Sequence, residues 1–203
     1  MRPYYSDDLV TLYHGDCREV ELPHVDLVCT DPPYGLGRKL AGGSWGAPLS
    51  GGLSWDQTVF DDIATIVELG KEAIVWGGNY FALPPRRCWL VWCKPDAVPT
   101  MANVDLAWTT FDRPSRSFLW SISATNRERV AHPTQKPLAL MSWCLSLAPD
   151  ATTVLDPFAG SGTTLRAAKN RGLQCVGVER EERFCEIAAE RCRQEVLDLG
   201  GAA

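Results

Sequence analysis

At 203 residues the chain is long enough to bury one substantial core and short for two. Its 45% hydrophobic and 22% charged residues exclude disorder over most of the length. No run approaches the roughly 18 apolar residues of a membrane span, and Met1-Arg2-Pro3-Tyr4-Tyr5 leads into no signal-peptide core, so the expected location is the cytoplasm. A net charge of −5 excludes a generally basic nucleic-acid binder, but the charge is uneven: Arg86 to Lys136 carries a local +4 and the remainder −9. A basic middle in an acidic chain suits a DNA-facing surface, because phosphate contacts need local rather than global positive charge. Eight cysteines form no C-x-x-C pair and only three histidines could join them, so no metal site is expected and most cysteines read as reduced core residues.

In chain order, Leu9-Val10-Thr11-Leu12-Tyr13 alternates like a strand and closes on His14-Gly15-Asp16-Cys17, which puts Asp16 at a strand end. Val25 to Cys29 is the next strand, and Asp31-Pro32-Pro33-Tyr34 follows where it ends. In open α/β sheets ligands bind at such ends. Two consecutive prolines give a stiff extended turn without N–H donors, which presents the Asp31 carboxylate, the Pro32 carbonyl and the Tyr34 ring. That set suits an exocyclic amine held by its hydrogens with its ring against an aromatic face. An ordinary Pro-Pro loop with a capping aspartate fits the four residues as well.

Gly35 to Ser54 is too glycine-rich to pack a core and reads as a mobile loop; Arg38 and Lys39 favour a DNA-contacting flap, and Trp45 and Trp55 flank it. Phe60 to Leu69 has helical spacing, Glu72 to Trp76 and Cys88 to Trp92 read as buried strands, and Asp105 to Phe111 with Ser117 to Ile122 as a hairpin or two edge strands. Asn126 to Pro137 is loop-like, and Leu138 to Leu147 a helix with Pro137 at its first turn. Alternation of strand and helix, with no repeat or linker, argues for one α/β domain.

Thr153-Val154-Leu155 is a short strand that runs into Asp156-Pro157-Phe158-Ala159-Gly160-Ser161-Gly162-Thr163-Thr164-Leu165 and a helix. Strand, glycine turn and helix make the nucleotide-binding opening of a doubly wound fold. Gln174 to Val178 then ends in Glu179, where such folds place an acid on ribose hydroxyls. The third glycine of a dinucleotide fingerprint is absent, and so is the G-K-[ST] of a phosphate loop. An adenosine ligand without phosphates remains, with S-adenosylmethionine as the candidate. From Glu182 a closing helix carries Phe184, Ile187, Ala188, Cys192, Val196 and Leu199 on one face.

Together, Asp31-Pro32-Pro33-Tyr34, His132-Pro133-Thr134-Gln135-Lys136-Pro137 and Asp156 to Gly162 resemble the motifs of the amino-group DNA methyltransferases, from about Leu12 to the closing helix. The resemblance implies a Rossmann-like S-adenosylmethionine-dependent fold, α/β with a mostly parallel doubly wound sheet and helices on both faces. The tetrad precedes the cofactor motif, as in the circularly permuted β group. Residues 1–203 are then one methyltransferase domain, with 35–55 as the glycine loop and 97–130 as a small target-recognition region.

By that resemblance Asp31, Pro32, Pro33 and Tyr34 are catalytic. Asp156, Phe158, Ala159, Gly160, Ser161, Gly162 and Thr163 hold the cofactor, with Glu179 and Arg180 at its ribose, Asp16 and Cys17 at its adenine, and His132, Thr134 and Lys136 at the methionine end beside Asp31. Arg38, Lys39, Arg113, Arg116, Arg127 and Arg129 are the candidate DNA contacts. The implied reaction moves a methyl group to N6 of a flipped adenine, which Tyr34 stacks on. Asp at the head of the tetrad resembles N6-adenine enzymes more than N4-cytosine ones. Cytosine N4 is the nearest alternative, with a catalytically silent DNA-binding protein and a nicotinamide oxidoreductase behind it. Besides DNA, the partners weighed are a second copy of the chain and a restriction enzyme encoded nearby.

Overall fold

The computed structural model describes residues 1–35, 59–128 and 135–194. Arg38, Lys39, Trp45, Trp55, Arg129, His132, Thr134, Val196 and Leu199 therefore lie outside the described residues.

The strands are β1 (Tyr5–Ser6), β2 (Val10–His14), β3 (Val25–Thr30), β4 (Gly70–Trp76), β5 (Trp89–Cys93), β6 (Val104–Thr109), β7 (Arg116–Leu119), β8 (Thr153–Asp156) and β9 (Gln174–Glu179). They form one sheet in the order β1-β2-β9-β8-β3-β4-β6-β5-β7. From β2 to β4 every pairing is parallel. The strand Thr153–Asp156, eighth in sequence, thus sits beside β3, and the ends of β3, β8 and β9 converge on one edge.

Burial explains this arrangement. In β3, Leu27 and Cys29 join the cluster on one face of the sheet while Val25 and Val28 join the other. In β4, Ile74 and Trp76 divide from Ala73 and Val75 in the same way. A strand apolar on both faces belongs inside a covered parallel sheet. Helix α1 (Ile63–Glu68) covers one face through Ile63 and Ile66. The other is covered by α3 (Leu138–Ser146), α4 (Thr163–Asn170) and α5 (Glu182–Arg193), through residues such as Leu140, Met141, Leu165, Ala168, Cys185 and Ala188. Helices on both faces of a mostly parallel sheet are the expected doubly wound class. Seven of the eight cysteines are buried, in the core role expected of them, as are Trp76, Trp92 and Trp108. No helix among the described residues is long and apolar enough to cross a membrane.

Two expectations are corrected. The strands β6 and β7 do not form a hairpin: β6 lies between β4 and β5, antiparallel to both, and β7 pairs with β5 in parallel at the sheet edge. Alternating Asp105 to Phe111 carries no mark of which neighbours it will find. Residues 104–109, counted in the recognition region, are thus part of the sheet interior. The second correction is α2 (Ile122–Glu128), a helix that begins before the expected loop and overlaps its start.

Candidate active site

The parallel strands end on a single cleft of about 400 Å³. Of the residues singled out from the sequence, Asp16, Cys17, Asp31, Pro32, Pro33, Tyr34, Lys136, Asp156, Phe158, Ala159, Gly160, Ser161, Thr163, Glu179 and Arg180 all line it. They come from five separate stretches of chain, brought together because β2, β9, β8 and β3 run in one direction.

The glycine turn is held from below and from the side. Gly162 caps α4 in the left-handed region at φ 75°. A Cβ there would also sit 2.7 Å from the Cβ of Ala188. Gly162 therefore serves the close approach of α5 rather than the cleft wall. Arg191 of α5 donates to the carbonyl of Ser161 at 2.8 Å and to the Thr163 hydroxyl at 3.1 Å, pinning the turn. The Gly160 N–H donates to Glu179 Oε2 at 2.8 Å and the Glu181 N–H to Oε1 at 2.7 Å, which fixes the Glu179 carboxylate in the wall. Burial pushes that carboxyl up against the opposing pull of these backbone donors.

Asp156 closes β8 almost wholly out of solvent. Its Oδ1 accepts from the Thr30 hydroxyl at 2.8 Å and from the Phe158 N–H at 3.2 Å. Burial still dominates and pushes its carboxyl up to about 6. Asp16 is the opposite case: Arg18 chelates both its oxygens, and that hydrogen bonding holds the carboxyl down at about 2. Burial pushes the neighbouring Cys17 thiol up to about 11, so it stands as a neutral wall.

The tetrad is held as a network. Tyr34 donates its hydroxyl to Asp31 Oδ1, and the Lys136 ammonium reaches Asp31 Oδ2 at 2.7 Å and the Tyr34 oxygen at 3.3 Å. Lys136 is 8% exposed and lies over the rings of Tyr34 and Trp76, with 5.7 Å to each centroid. Burial works to lower its pKa, but Asp31 and Asp105 outweigh burial and the net shift is upward, so it is a permanent cation. Burial, with Asp31 beside it, pushes the Tyr34 phenol up, which keeps it a neutral donor. Lys136, expected at the methionine end of a cofactor, lines the cleft and is the charge partner of Asp31.

The candidate DNA contacts divide. Arg116 and Arg127 are exposed, whereas Arg113 donates to the Leu147 carbonyl at 2.6 Å and lies 3.9 Å from the centre of the Phe111 ring, committed to packing. Sequence reasoning missed Arg18, Phe60, Gln135 and Met141, all in the cleft wall. Phe60 packs edge-on against Phe158 at 4.8 Å. Gln135 was visible inside the His132 to Pro137 motif; Arg18, two residues from Asp16, was the other available signal.

Comparison with known proteins identifies the fold and the family. The chain is 24% identical to the type II methyltransferase M.ScaI of Streptomyces caespitosus, over 98% of this chain and 86% of that one. It is 25% identical to M2.MboI of Moraxella bovis, over 94% and 91%. Among solved structures, M1.HpyAVI in complex with SAM superposes with a TM-score of 0.63 at 23% identity, covering 92% of this chain and 100% of that one. The cytosine-N4-specific PvuII DNA methyltransferase superposes at 0.60 with 15% identity, covering 95% and 89%. These likenesses carry the fold. The DNA methylase family of N6 and N4 enzymes matches residues 89–190, half of the sequence, and the chain belongs to that S-adenosylmethionine-dependent family.

Proposed function

We propose that the protein transfers the methyl group of S-adenosylmethionine to the exocyclic N6 of an adenine turned out of DNA. The observation that carries this reading is the single cleft that joins the Asp31 carboxylate to the glycine turn and Glu179. Seven carboxylates line it against three cations, Arg18, Lys136 and Arg180. An acidic cleft suits a ligand with a sulfonium and an ammonium, and it repels the pyrophosphate of a dinucleotide. In this reading Glu179 would accept from the ribose hydroxyls, Asp16 and Phe60 would hold the adenine, and the turn from Phe158 to Thr163 would hold the rest.

S-adenosylmethionine supplies an electrophilic methyl group on sulfur. Asp31 and the Pro32 carbonyl accept the two hydrogens of the target amine, which turns the nitrogen lone pair out of conjugation and toward that methyl. The nitrogen would then take that methyl group with the thioether as leaving group, and one amine proton would leave by way of Asp31 to water. Positioning and electrostatics supply the acceleration, with no covalent enzyme intermediate. Lys136 neutralises Asp31 in a site where a lone carboxylate would be costly to bury. The amine must share or displace the Tyr34 hydroxyl on Oδ1 before it can bind.

The exposed Arg116 and Arg127 belong to this reading as phosphate contacts, with the remaining residues of 97–130 outside β6 as the recognition region. The motif order is that of the circularly permuted β group, and a restriction-modification setting in the cytoplasm fits the type II relatives. N4 of cytosine is the second reading, favoured by the fold shared with an N4-specific enzyme. Digestion of DNA methylated by the purified protein, followed by nucleoside chromatography, separates the two. N6-methyldeoxyadenosine is expected; N4-methyldeoxycytidine alone would overturn the base assignment.

A further inference from the structure

Tyr80 belongs to none of the motifs above. It closes a short 3-10 turn, Gly78–Tyr80, that follows β4 at the same sheet edge as the tetrad. Its ring stacks on Tyr34, with centroids 5.1 Å apart and planes within 19°. Phe81 closes the side, edge-on to Tyr34 at 6.3 Å. Of the two stacked rings only one is free to give way. Tyr34 is tied through its hydroxyl to Asp31, and its ring is seated against Gly77, where a Cβ would fall between 2.0 and 2.6 Å from three ring atoms. Tyr80 is 47% exposed, and its hydroxyl has no partner among the described residues. The backbone beneath it is fixed: the Gly77 N–H donates to Leu106 of β6 at 2.8 Å, and the Tyr80 N–H to Gly77 at 2.8 Å. A large aromatic side chain on a rigid turn, half in water and bound only by stacking, is unusual unless something else stacks there.

We infer that Tyr80 is the second wall of the target-base slot: it covers the Tyr34 ring while the slot is empty, and the extrahelical base enters between the two rings. The near-parallel planes already have the orientation of a two-sided stack, and the rings need part by only the thickness of one base. Stacking on an aromatic face is open to every base. Tyr80 therefore sets how long a base stays out of the duplex, while Asp31 and Pro32 read its amine. Tyr80 is a positioning residue, and this role rests on the methyl-transfer reading given above.

The test uses the full-length protein, labelled S-adenosylmethionine and unmethylated genomic DNA, followed by a duplex with 2-aminopurine at the target position that methyl transfer has mapped. Tyr80→Ala and Tyr80→Leu should lower kcat/KM for DNA about tenfold or more, from the loss of one stacked face. Tyr80→Phe should stay within about twofold of the parent, because it keeps the face. Affinity for S-adenosylmethionine should be unchanged in all three, which also reports that they fold. The 2-aminopurine emission of the parent complex should exceed that of the free duplex, and that of Tyr80→Ala should fall back toward the duplex value. Unchanged kcat/KM in Tyr80→Ala, or a fall in kcat/KM with emission unchanged from the parent complex, would overturn the wall, the latter leaving Tyr80 as a mere support for Tyr34. A parent protein that binds S-adenosylmethionine but methylates no DNA would instead remove the methyl-transfer reading, and the wall with it.

Discussion

Asp156→Asn should stabilise the protein, and by an amount that depends on pH. The Asp156 carboxyl is pushed from its ordinary value of about 3.9 up to about 6 by burial at the end of β8. Because the folded value is the higher one, the native state holds the proton more tightly than the unfolded chain. The associated stability is fully present below about pH 4 and is lost as pH rises through about 6. A shift of about two units at roughly 1.4 kcal/mol each makes ionised Asp156 a cost of about 3 kcal/mol at neutral pH. Asparagine keeps the Oδ1 acceptor used by Thr30 and Phe158 and removes the titration; any change in the remaining hydrogen bonds is a pH-independent offset. Urea unfolding of both proteins between pH 4.5 and 8 should show the variant gaining about 2 kcal/mol on the parent over that range, the first kcal/mol or so of the total having been lost already below pH 4.5. A difference that stays flat with pH would refute the reasoning, and would mean that the donors from Thr30 and Phe158 fully compensate the burial. Methyl transfer should fall in the same variant, since a charge held at a cost in the cleft wall is a common mark of function.

Asp31→Asn should abolish methyl transfer while leaving S-adenosylmethionine binding, followed by calorimetry, largely intact; loss of both would move Asp31 from the reacting amine to the cofactor pocket. Lys136→Met leaves the Asp31 charge without its partner and should cost up to about 3 kcal/mol of stability, less than for a fully buried pair because Asp31 keeps some access to water. Since the Lys136 pKa is raised, the contribution of its charge is fully present below its ordinary value of about 10.4 and lost only as pH rises beyond that. Denaturation from pH 6 to 9 should therefore show a constant difference between Lys136→Met and the parent, and a difference that collapses near neutrality would contradict the permanent cation. Gly162→Ala adds a Cβ at positive φ against Ala188 and should lower stability by roughly 2–4 kcal/mol in urea titrations; a neutral effect would show that α5 shifts freely.

What could be read from the sequence was what is written locally. The tetrad and the glycine turn each follow a short apolar strand, so their place at strand ends needed no tertiary information; that both ends lie on one edge follows from the parallel pairing of β3 with β8. The charge partner of Asp31 is 105 residues away; its motif marked Lys136 as part of the site, but nothing in the motif says which group its ammonium reaches. Helix α2 shows the same limit. Its last residues, from Asn126, read as the start of a polar loop, and the helix begins where the Asp96 carboxylate, 26 and 27 residues back, accepts from the N–H groups of Ile122 and Ser123 at 2.6 and 2.9 Å. Likewise β6 depends on strands on both sides for its place. In the sequence Tyr80 is an unmarked aromatic a few residues after a strand, and only the fold brings its ring onto Tyr34.

The most direct test incubates the purified protein with S-adenosylmethionine labelled in its methyl group and unmethylated DNA, and counts label retained in the polymer. The account predicts incorporation by the parent protein and none by Asp31→Asn at equal S-adenosylmethionine occupancy. No incorporation by the parent into either duplex or single-stranded DNA, with the cofactor bound, would contradict it.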